Sequence, residues 1–244
     1  MTNIYSIAER NIAVTSLHDE VHRLCAPYLA PDAAPDFAVR TGQADIDCER
    51  DRSARGDKLS GKPAIRFSDG YLETLAVYRK IAEQMPRYDT VLFHGSCVAV
   101  DGAAYLFIAR SGTGKSTHTR LWRELLGERA VMVNDDKPFV RVTAGGAAAC
   151  GTPWAGKHGL SSNITVPLKA ICILERAEKN AIRTITAGEA YPMLLQQVYR
   201  PADGAAMSMT LTLIDRLTSS VSLRRLGCNT EPEAARIAYD AMKG

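Results

Sequence analysis

The stretch "FIARSGTGKSTHTRLW", residues 107–122, constrains the fold more than any other part of the chain. An apolar run leads into small residues and glycines, and apolar residues at helical spacing follow. This order predicts a strand, a tight loop and a helix. Such a loop turns backbone N–H groups toward phosphate oxygens, and the start of the helix adds a positive dipole. The stretch therefore predicts a nucleotide-phosphate site in an α/β fold.

Residues 109–116 match the phosphate-loop pattern GxxxxGK[ST], also called Walker A, with Ala109 in the place of the first glycine. In this pattern Lys115 brings a positive charge to the phosphates and is a predicted catalytic residue, while the hydroxyl of Ser116 ligates Mg²⁺. ATP and Mg²⁺ are the predicted cofactors. The residues predicted to contact the nucleotide are Ser111, Gly112, Thr113, Gly114, Lys115, Ser116 and Thr117.

The helix after the loop is predicted over Lys115–Leu126, because Leu121 and its apolar neighbours recur at helical spacing and a glycine follows. His118 and Arg120 lie on this helix, and we expect both side chains on its solvated face. The helix then leads to a further apolar strand, "AVMV", which ends in the residues "NDD".

Two carboxylate side chains lie at the end of this strand. Asp135 and Asp136 follow it, 20 and 21 residues after Lys115, a distance that suits one strand–helix–strand unit. Phosphate-loop enzymes need a carboxylate at such a strand end to hold the metal and its water. One of the two is therefore predicted to serve Mg²⁺ and the other to act as a base.

Composition excludes several other classes of function. The 30 basic and 27 acidic residues give a net charge of only +3, and no basic block is present, so we expect no nucleic-acid or membrane partner. No apolar run approaches the roughly 18 residues that a membrane helix needs, and the first residues do not read as a signal peptide. A cytoplasmic location is the expectation. The six cysteines show no CxxC pairing, which argues against a zinc cluster.

The chain is predicted to have two parts: a mixed α/β N-terminal segment over residues 1–88 and a phosphate-loop domain over residues 89–244. In the first part, "ERDRSARGDKLSGKP" is interpreted as a surface connection and "AIRFSDG" as a short strand. In the second, Asp101 and Gly102 separate two apolar runs and predict a hairpin.

Three features together resemble the HPr kinase/phosphorylase family, whose nucleotide fold is shared with phosphoenolpyruvate carboxykinase. They are the His94-Gly95 pair, the loop over residues 111–116 and the Asp135-Asp136 pair. The resemblance covers roughly residues 90–200 and implies an α/β phosphate-loop fold of that type. It also implies homo-oligomers.

The resemblance implies roles for particular residues. Asp136 would be the general base toward a serine hydroxyl, Asp135 would lie nearer the metal, and His94 would assist the base. The stretch "GTPWAGK" looks like a subgroup in which some members phosphorylate serine on ribosomally made peptides. The candidate substrate-contacting residues are Lys157, His158 and Arg200.

Two functions stay open at this stage. The first is a kinase acting on a hydroxyl of a protein, a peptide or a small molecule, which both aspartates and His94 favour. The second is a regulatory or scaffold module that binds the nucleotide without phosphotransfer. The second is favoured by the absence of the family's Mg-associated glutamate, because residues 154–158, "WAGKH", stand in its place.

Overall fold

The structure is a computed structural model that describes residues 1–61, 63 and 65–244. Its contacts divide the chain into two compact units, Met1–Ala82 and Glu83–Gly244. No helix within the described ranges is both long and apolar enough to cross a membrane.

The described residues of the first unit form a three-stranded sheet and three α-helices. The strands lie in the order β1-β2-β3; β1 and β2 are antiparallel, and β3 is parallel to β2. The elements are β1 (Thr2–Ile7), β2 (Arg10–Thr15), α1 (Asp19–Cys25), β3 (Phe37–Arg40), α2 (Gln43–Ser60) and α3 (Asp69–Gln84).

Two sequence predictions in this unit are wrong. Most of the segment interpreted as a connection is the helix α2, whose many charges lie on exposed faces. Its buried Glu49 accepts a hydrogen bond from Arg79 Nε at 3.0 Å. The predicted strand "AIRFSDG" is also wrong over residues 65–70, because 65–68 are irregular and α3 begins at Asp69. Residue 64 lies outside the described residues.

The second unit carries nine strands and four helices. The elements are β4 (Thr90–Leu92), β5 (Gly95–Val100), β6 (Ala103–Ile108), α4 (Lys115–Leu126), β7 (Ala130–Asn134), β8 (Phe139–Thr143), β9 (Gly146–Cys150), β10 (Thr165–Arg176), β11 (Ala181–Thr184), α5 (Ala187–Gln197), α6 (Gly204–Ser220), β12 (Ser222–Cys228) and α7 (Pro232–Met242). The hairpin predicted at Asp101-Gly102 is confirmed, since β5 and β6 pair antiparallel across it.

The nine strands form one curled sheet in the order β4-β8-β9-β10-β6-β5-β7, with β12 beside β10 and β11 beside β12. The long strand β10 joins its two halves: it pairs antiparallel with β9 over residues 165–167 and then parallel with β6 and β12. Pro167 has no N–H to donate, and the register shifts between Leu168 and Ala170. A proline and a bulge are the usual means by which a strand bends and changes partners.

Helices cover both faces of the strands around β6. Because side chains alternate along a strand, Leu106 and Ile108 point to one face and Tyr105 and Phe107 to the other. Residues of α5 and α6 join the first core cluster, and residues of α4 and α7 join the second. The unit is thus a mixed α/β fold with α4 fixed against the sheet.

Candidate active site

The glycine loop, residues 109–114, connects β6 to α4. Gly112 and Gly114 have φ angles of 78° and 119°, which side-chain-bearing residues rarely adopt. Arg176 Nη2 donates to Gly112 O at 2.5 Å and holds the loop from outside. No side chain among the described residues caps the start of α4, so the first N–H groups of the helix are available to an anion.

Lys115 lies at the inner side of this loop. It is 9% exposed, and its Nζ donates to the carbonyl oxygen of Ala109 at 3.2 Å. Burial lowers the pKa of Lys115 below its usual value, although the Asp136 carboxylate opposes that shift. The ammonium group is therefore held inside the loop, where a phosphate would contact it.

The turn that follows β7 is shaped by Asn134, which is fully buried. Its Oδ1 accepts hydrogen bonds from the backbone N–H groups of Asp136 at 2.8 Å and Lys137 at 2.6 Å. Its Nδ2 donates to Thr152 O at 3.0 Å. Because both ends of the amide are used, a buried side chain fixes the backbone of the turn at Asp136 and Lys137.

Asp135 is tied to α4. Its Oδ1 accepts a hydrogen bond from Ser96 Oγ at 2.6 Å, and Ser96 Oγ lies 2.8 Å from Thr119 Oγ1 on the helix. All three side chains are buried. This chain of hydrogen bonds holds Asp135 against the first turns of α4, the part of the helix that carries Ser116.

Asp136 makes different contacts. Its Oδ1 lies 3.4 Å from His94 Nε2, and its Oδ2 lies 3.0 Å from Lys137 Nζ. Burial, with the charges of Lys137 and Lys115, lowers the pKa of His94 to about 4. At neutral pH the imidazole is therefore uncharged, and it lies beside the Asp136 carboxylate as a neutral ring.

Gln197 determines which nitrogen of His94 carries the proton. The end of its side chain faces the carbonyl oxygens of Ala109 and His94, which can only accept, so its NH₂ group must point there. In this orientation the NH₂ group also lies 3.1 Å from His94 Nδ1. Nδ1 therefore accepts, and the hydrogen is carried by Nε2, which lies 3.4 Å from Asp136 Oδ1.

These groups face one cavity of about 780 Å³. The predicted site residues that line it are His94, Ser111, Gly112, Gly114, Lys115, Ser116, Thr117, Asp135, Asp136, Lys157 and His158. Thr113 lines the neighbouring cavity instead. Arg200 is exposed and is not among the residues that line either cavity, so its part in substrate binding stays a prediction.

Lys157 and His158 belong to a short 3₁₀ turn, Gly156–His158, and both are exposed at the cavity edge. Gly156 begins this turn with a φ of 66°. A Cβ at this position would lie 3.1 Å from the Cβ of Asp136. A larger residue at position 156 would therefore require Asp136 to shift by a few tenths of an ångström.

The cavity fits a nucleotide and a divalent cation. An uncapped helix start, two glycines with positive φ and a buried lysine form a phosphate cradle. Within the described residues no group of three or more His, Cys, Asp or Glu side chains could hold a metal alone. Mg²⁺ is commonly held by one or two carboxylates and the phosphates of the substrate, which matches Asp135 and Ser116 beside the glycine loop.

The amino-acid sequence matches the family described as "SynChlorMet cassette protein ScmC" over residues 70–212, more than half of the chain. The chain belongs to the ScmC family. The matched range includes the glycine loop, both aspartates and every other predicted site residue. It leaves out residues 1–69 and, after residue 212, the end of α6, β12 and α7.

No curated protein sequence matches the chain. Among solved structures, the chain is similar to the HPr(Ser) kinase/phosphatase from Coxiella burnetii, with 12% identity and a TM-score of 0.37. The similarity covers 63% of this chain and 99% of that one.

Within the ScmC-matched range, sequence reasoning missed several residues that build the site: Ser96, Thr119, Asn134, Lys137, Thr152 and Gln197. Asn134 and Lys137 flank the two aspartates in "NDDK", a local signal that could have found them. Gln197 lies far from the motifs along the chain, and no sequence pattern indicates that it belongs to the site.

The expected placement of His118 on the solvated face of α4 is wrong. His118 is only 2% exposed, and its Nε2 accepts a hydrogen bond from Trp122 Nε1 at 3.1 Å. The ring also packs edge-on against Phe107, with 4.7 Å between the ring centroids. His118 therefore faces the sheet, whereas Arg120 is exposed as expected.

Proposed function

We propose that the protein is an ATP-dependent phosphotransferase that moves the γ-phosphoryl group to a hydroxyl of a serine side chain or a small molecule. The observation that carries this proposal is that the glycine loop, His94 and Asp136 line one cavity, in which His94 Nε2 lies 3.4 Å from Asp136 Oδ1. A nucleotide-binding module needs the loop alone. A carboxylate held by a neutral histidine beside that loop is what the activation of a hydroxyl requires.

In this proposal Mg·ATP supplies the phosphoryl group. Asp136 accepts the proton of the acceptor hydroxyl as that oxygen bonds to phosphorus, the bond from phosphorus to the bridging oxygen breaks, and ADP leaves. His94, through Nε2–H, keeps the carboxylate directed at the acceptor. Lys115 and Lys157 offset the negative charge of the phosphoryl group during transfer.

The test is transfer of label from γ-labelled ATP, with Mg²⁺, to a panel of serine-containing peptides and small hydroxyl compounds. Asp136→Asn should lower the rate by at least about 100-fold, because general-base catalysis typically contributes that much. Binding of the non-hydrolysable analogue AMPPNP should change by less than about threefold, since the glycine loop is intact. Asp240→Asn, on the exposed face of α7, is the matched control and should behave as the unaltered protein.

Transfer that persists in Asp136→Asn would remove the proposed base. Tight binding of AMPPNP without transfer to any compound in the panel would favour the alternative, a regulatory or scaffold module that binds the nucleotide and leaves it intact.

A further inference from the structure

The cavity that holds the candidate site, of about 780 Å³, extends past the glycine loop along helix α4. The helix contributes Ser116, Thr119, Arg120 and Arg123 to the wall, at spacings of three and four residues that put them on one face. Ser116 lies beside the phosphate cradle. Arg123 lies seven residues later, which corresponds to about 10 Å along the helix. The proposed reaction gives no role to either arginine.

The two aspartates mark the level on this face at which phosphotransfer would occur. Ser96 Oγ lies 2.6 Å from Asp135 Oδ1 and 2.8 Å from Thr119 Oγ1. Asp136 is the next residue and lines the same cavity. The acceptor hydroxyl must reach this base, so it lies at about the level of Thr119. Because the phosphates of the donor occupy the loop end, the rest of the acceptor extends toward Arg123, four residues or about 6 Å further along the helix.

This end of the cavity carries positive charge that the protein itself does not neutralise. The side chains of Arg123 and Lys157 make no hydrogen bond or ion pair within the part of the chain that the structure describes. Arg120 differs, because its Nη1 donates to Glu124 Oε1 at 2.5 Å.

The carboxylates of the cavity wall are already assigned. Among the described residues that line it, the carboxylates are Asp135 and Asp136. The proposed reaction uses Asp135 for Mg²⁺ and Asp136 as the base. Unpaired cations in a concave site attract an anion, and an arginine binds carboxylate or phosphate oxygens with several N–H groups at once.

We infer that the acceptor is anionic: it carries a carboxylate or phosphate near the hydroxyl that receives the phosphoryl group, and Arg123 is the residue that selects it. In an extended peptide two residues span about 7 Å, so a serine acceptor would have Asp or Glu within about two residues. This inference rests on the proposed function, because it takes Asp136 as the base.

Rates of label transfer from γ-labelled ATP to matched peptides test the inference on the unaltered protein. The peptides contain one serine and differ only at the second residue after it, which is Asp, Asn or Lys. A second set carries the same changes two residues before the serine, so that both chain directions are covered. In one set kcat/KM for the Asp peptide should exceed that for the Asn peptide at least about 10-fold, because a hydrogen bond between two charged groups is stronger than one to a neutral amide.

Glucose 6-phosphate and glucose give the same comparison for small acceptors. A preference for the Asp peptide would identify a peptide or protein acceptor. A preference for glucose 6-phosphate would identify a small anionic molecule, and either result supports the inference.

The variant Arg123→Gln keeps a long polar side chain and removes the charge. It should lower kcat/KM for the preferred anionic acceptor about 10-fold, and change both kcat/KM for the neutral counterpart and the affinity for AMPPNP less than twofold. Arg123→Glu should shift the preference toward the Lys peptide. Arg236→Gln is the matched control, because Arg236 is exposed on α7 and lines neither cavity.

Equal rates with anionic and neutral acceptors would overturn the inference and leave phosphotransfer standing. A preference that Arg123→Gln leaves intact would also overturn it, since the selection would then come from another surface. An equal loss of rate and AMPPNP affinity in Arg123→Gln would assign the arginine to the nucleotide, with the same consequence. If no peptide and no small hydroxyl compound accepts label, the proposed function fails and the inference fails with it.

Discussion

At the scale of single residues, the site depends on which atom of His94 carries a proton. Were the hydrogen on Nδ1, the lone pair of Nε2 would face the Asp136 carboxylate and repel it. The amide of Gln197 prevents this, because its NH₂ group donates to Nδ1 at 3.1 Å. Gln197 is thus a positioning residue: it acts on Asp136 through the imidazole and not by touching a substrate.

Gln197→Met tests this role, because methionine has a similar size and cannot donate to Nδ1. The rate of phosphotransfer at saturating substrates should fall about 10-fold, as expected when a base loses its orientation. The affinity for AMPPNP should change less than twofold, since Gln197 does not line the phosphate cradle. Gln196→Met is the control, because the neighbouring side chain is exposed and should leave both quantities unchanged.

An equal loss of rate and nucleotide affinity in Gln197→Met would indicate general damage to the fold. The same conclusion would follow if Gln196→Met lost as much activity as Gln197→Met.

At the scale of elements, the sequence is a good guide where a local pattern specifies the structure. The strand, glycine loop and helix over residues 103–126 follow from apolar spacing and from glycine positions. The helix α2 was missed because its faces are almost uniformly charged, so no apolar stripe marks it. The roles of Ser96 and Gln197 could not be predicted either, because their contacts join residues that lie far apart along the chain.

The turn over Gly156–His158 shows how one element sets the position of another. Gly156→Ala should reduce phosphotransfer at least about 10-fold, because the new Cβ would lie 3.1 Å from the Cβ of Asp136 and displace it. It should also destabilise the protein by about 1 kcal/mol, since alanine at positive φ is strained. Transfer of label and the midpoint of thermal unfolding measure the two effects.

Gly159→Ala separates these two effects. Gly159 has nearly the same φ, 62°, but a Cβ there would have no atom within 4 Å. We therefore expect the same loss of stability with little loss of activity. If both variants lost activity equally, backbone strain in the turn would be the cause, and contact with Asp136 would not.

At the scale of the whole molecule, the contacts divide the chain into two compact units. The apolar patterns predicted a boundary between residues 88 and 89, whereas the contacts divide the chain after Ala82. The difference arises from long-range contacts that no local pattern encodes. Glu83 accepts hydrogen bonds from Tyr199 Oη at 2.7 Å and from Ala202 N at 3.1 Å. Met85 is fully buried.

Local sequence patterns could not predict the curl of the sheet either. The apolar run "LKAICILE", residues 168–175, is typical of a buried strand, but β10 begins earlier, at Thr165. Which strands pair with β10, and where it changes from β9 to β6 and β12, depends on packing across the whole unit. Pro167 indicates where β10 changes its partner strands, but it does not indicate which strands those are.

These contacts predict that a fragment over residues 83–244 folds alone and binds AMPPNP, because both core clusters and both cavities lie within it. A fragment over residues 89–244 should be less stable by roughly 3 kcal/mol, since it loses the burial of Met85 and the carboxylate that accepts from Tyr199 and Ala202. Urea unfolding followed by circular dichroism compares the two free energies. If the two fragments were equally stable, the unit would begin at the boundary predicted from the sequence, and residues 83–88 would be a linker whose contacts add nothing to the free energy of unfolding.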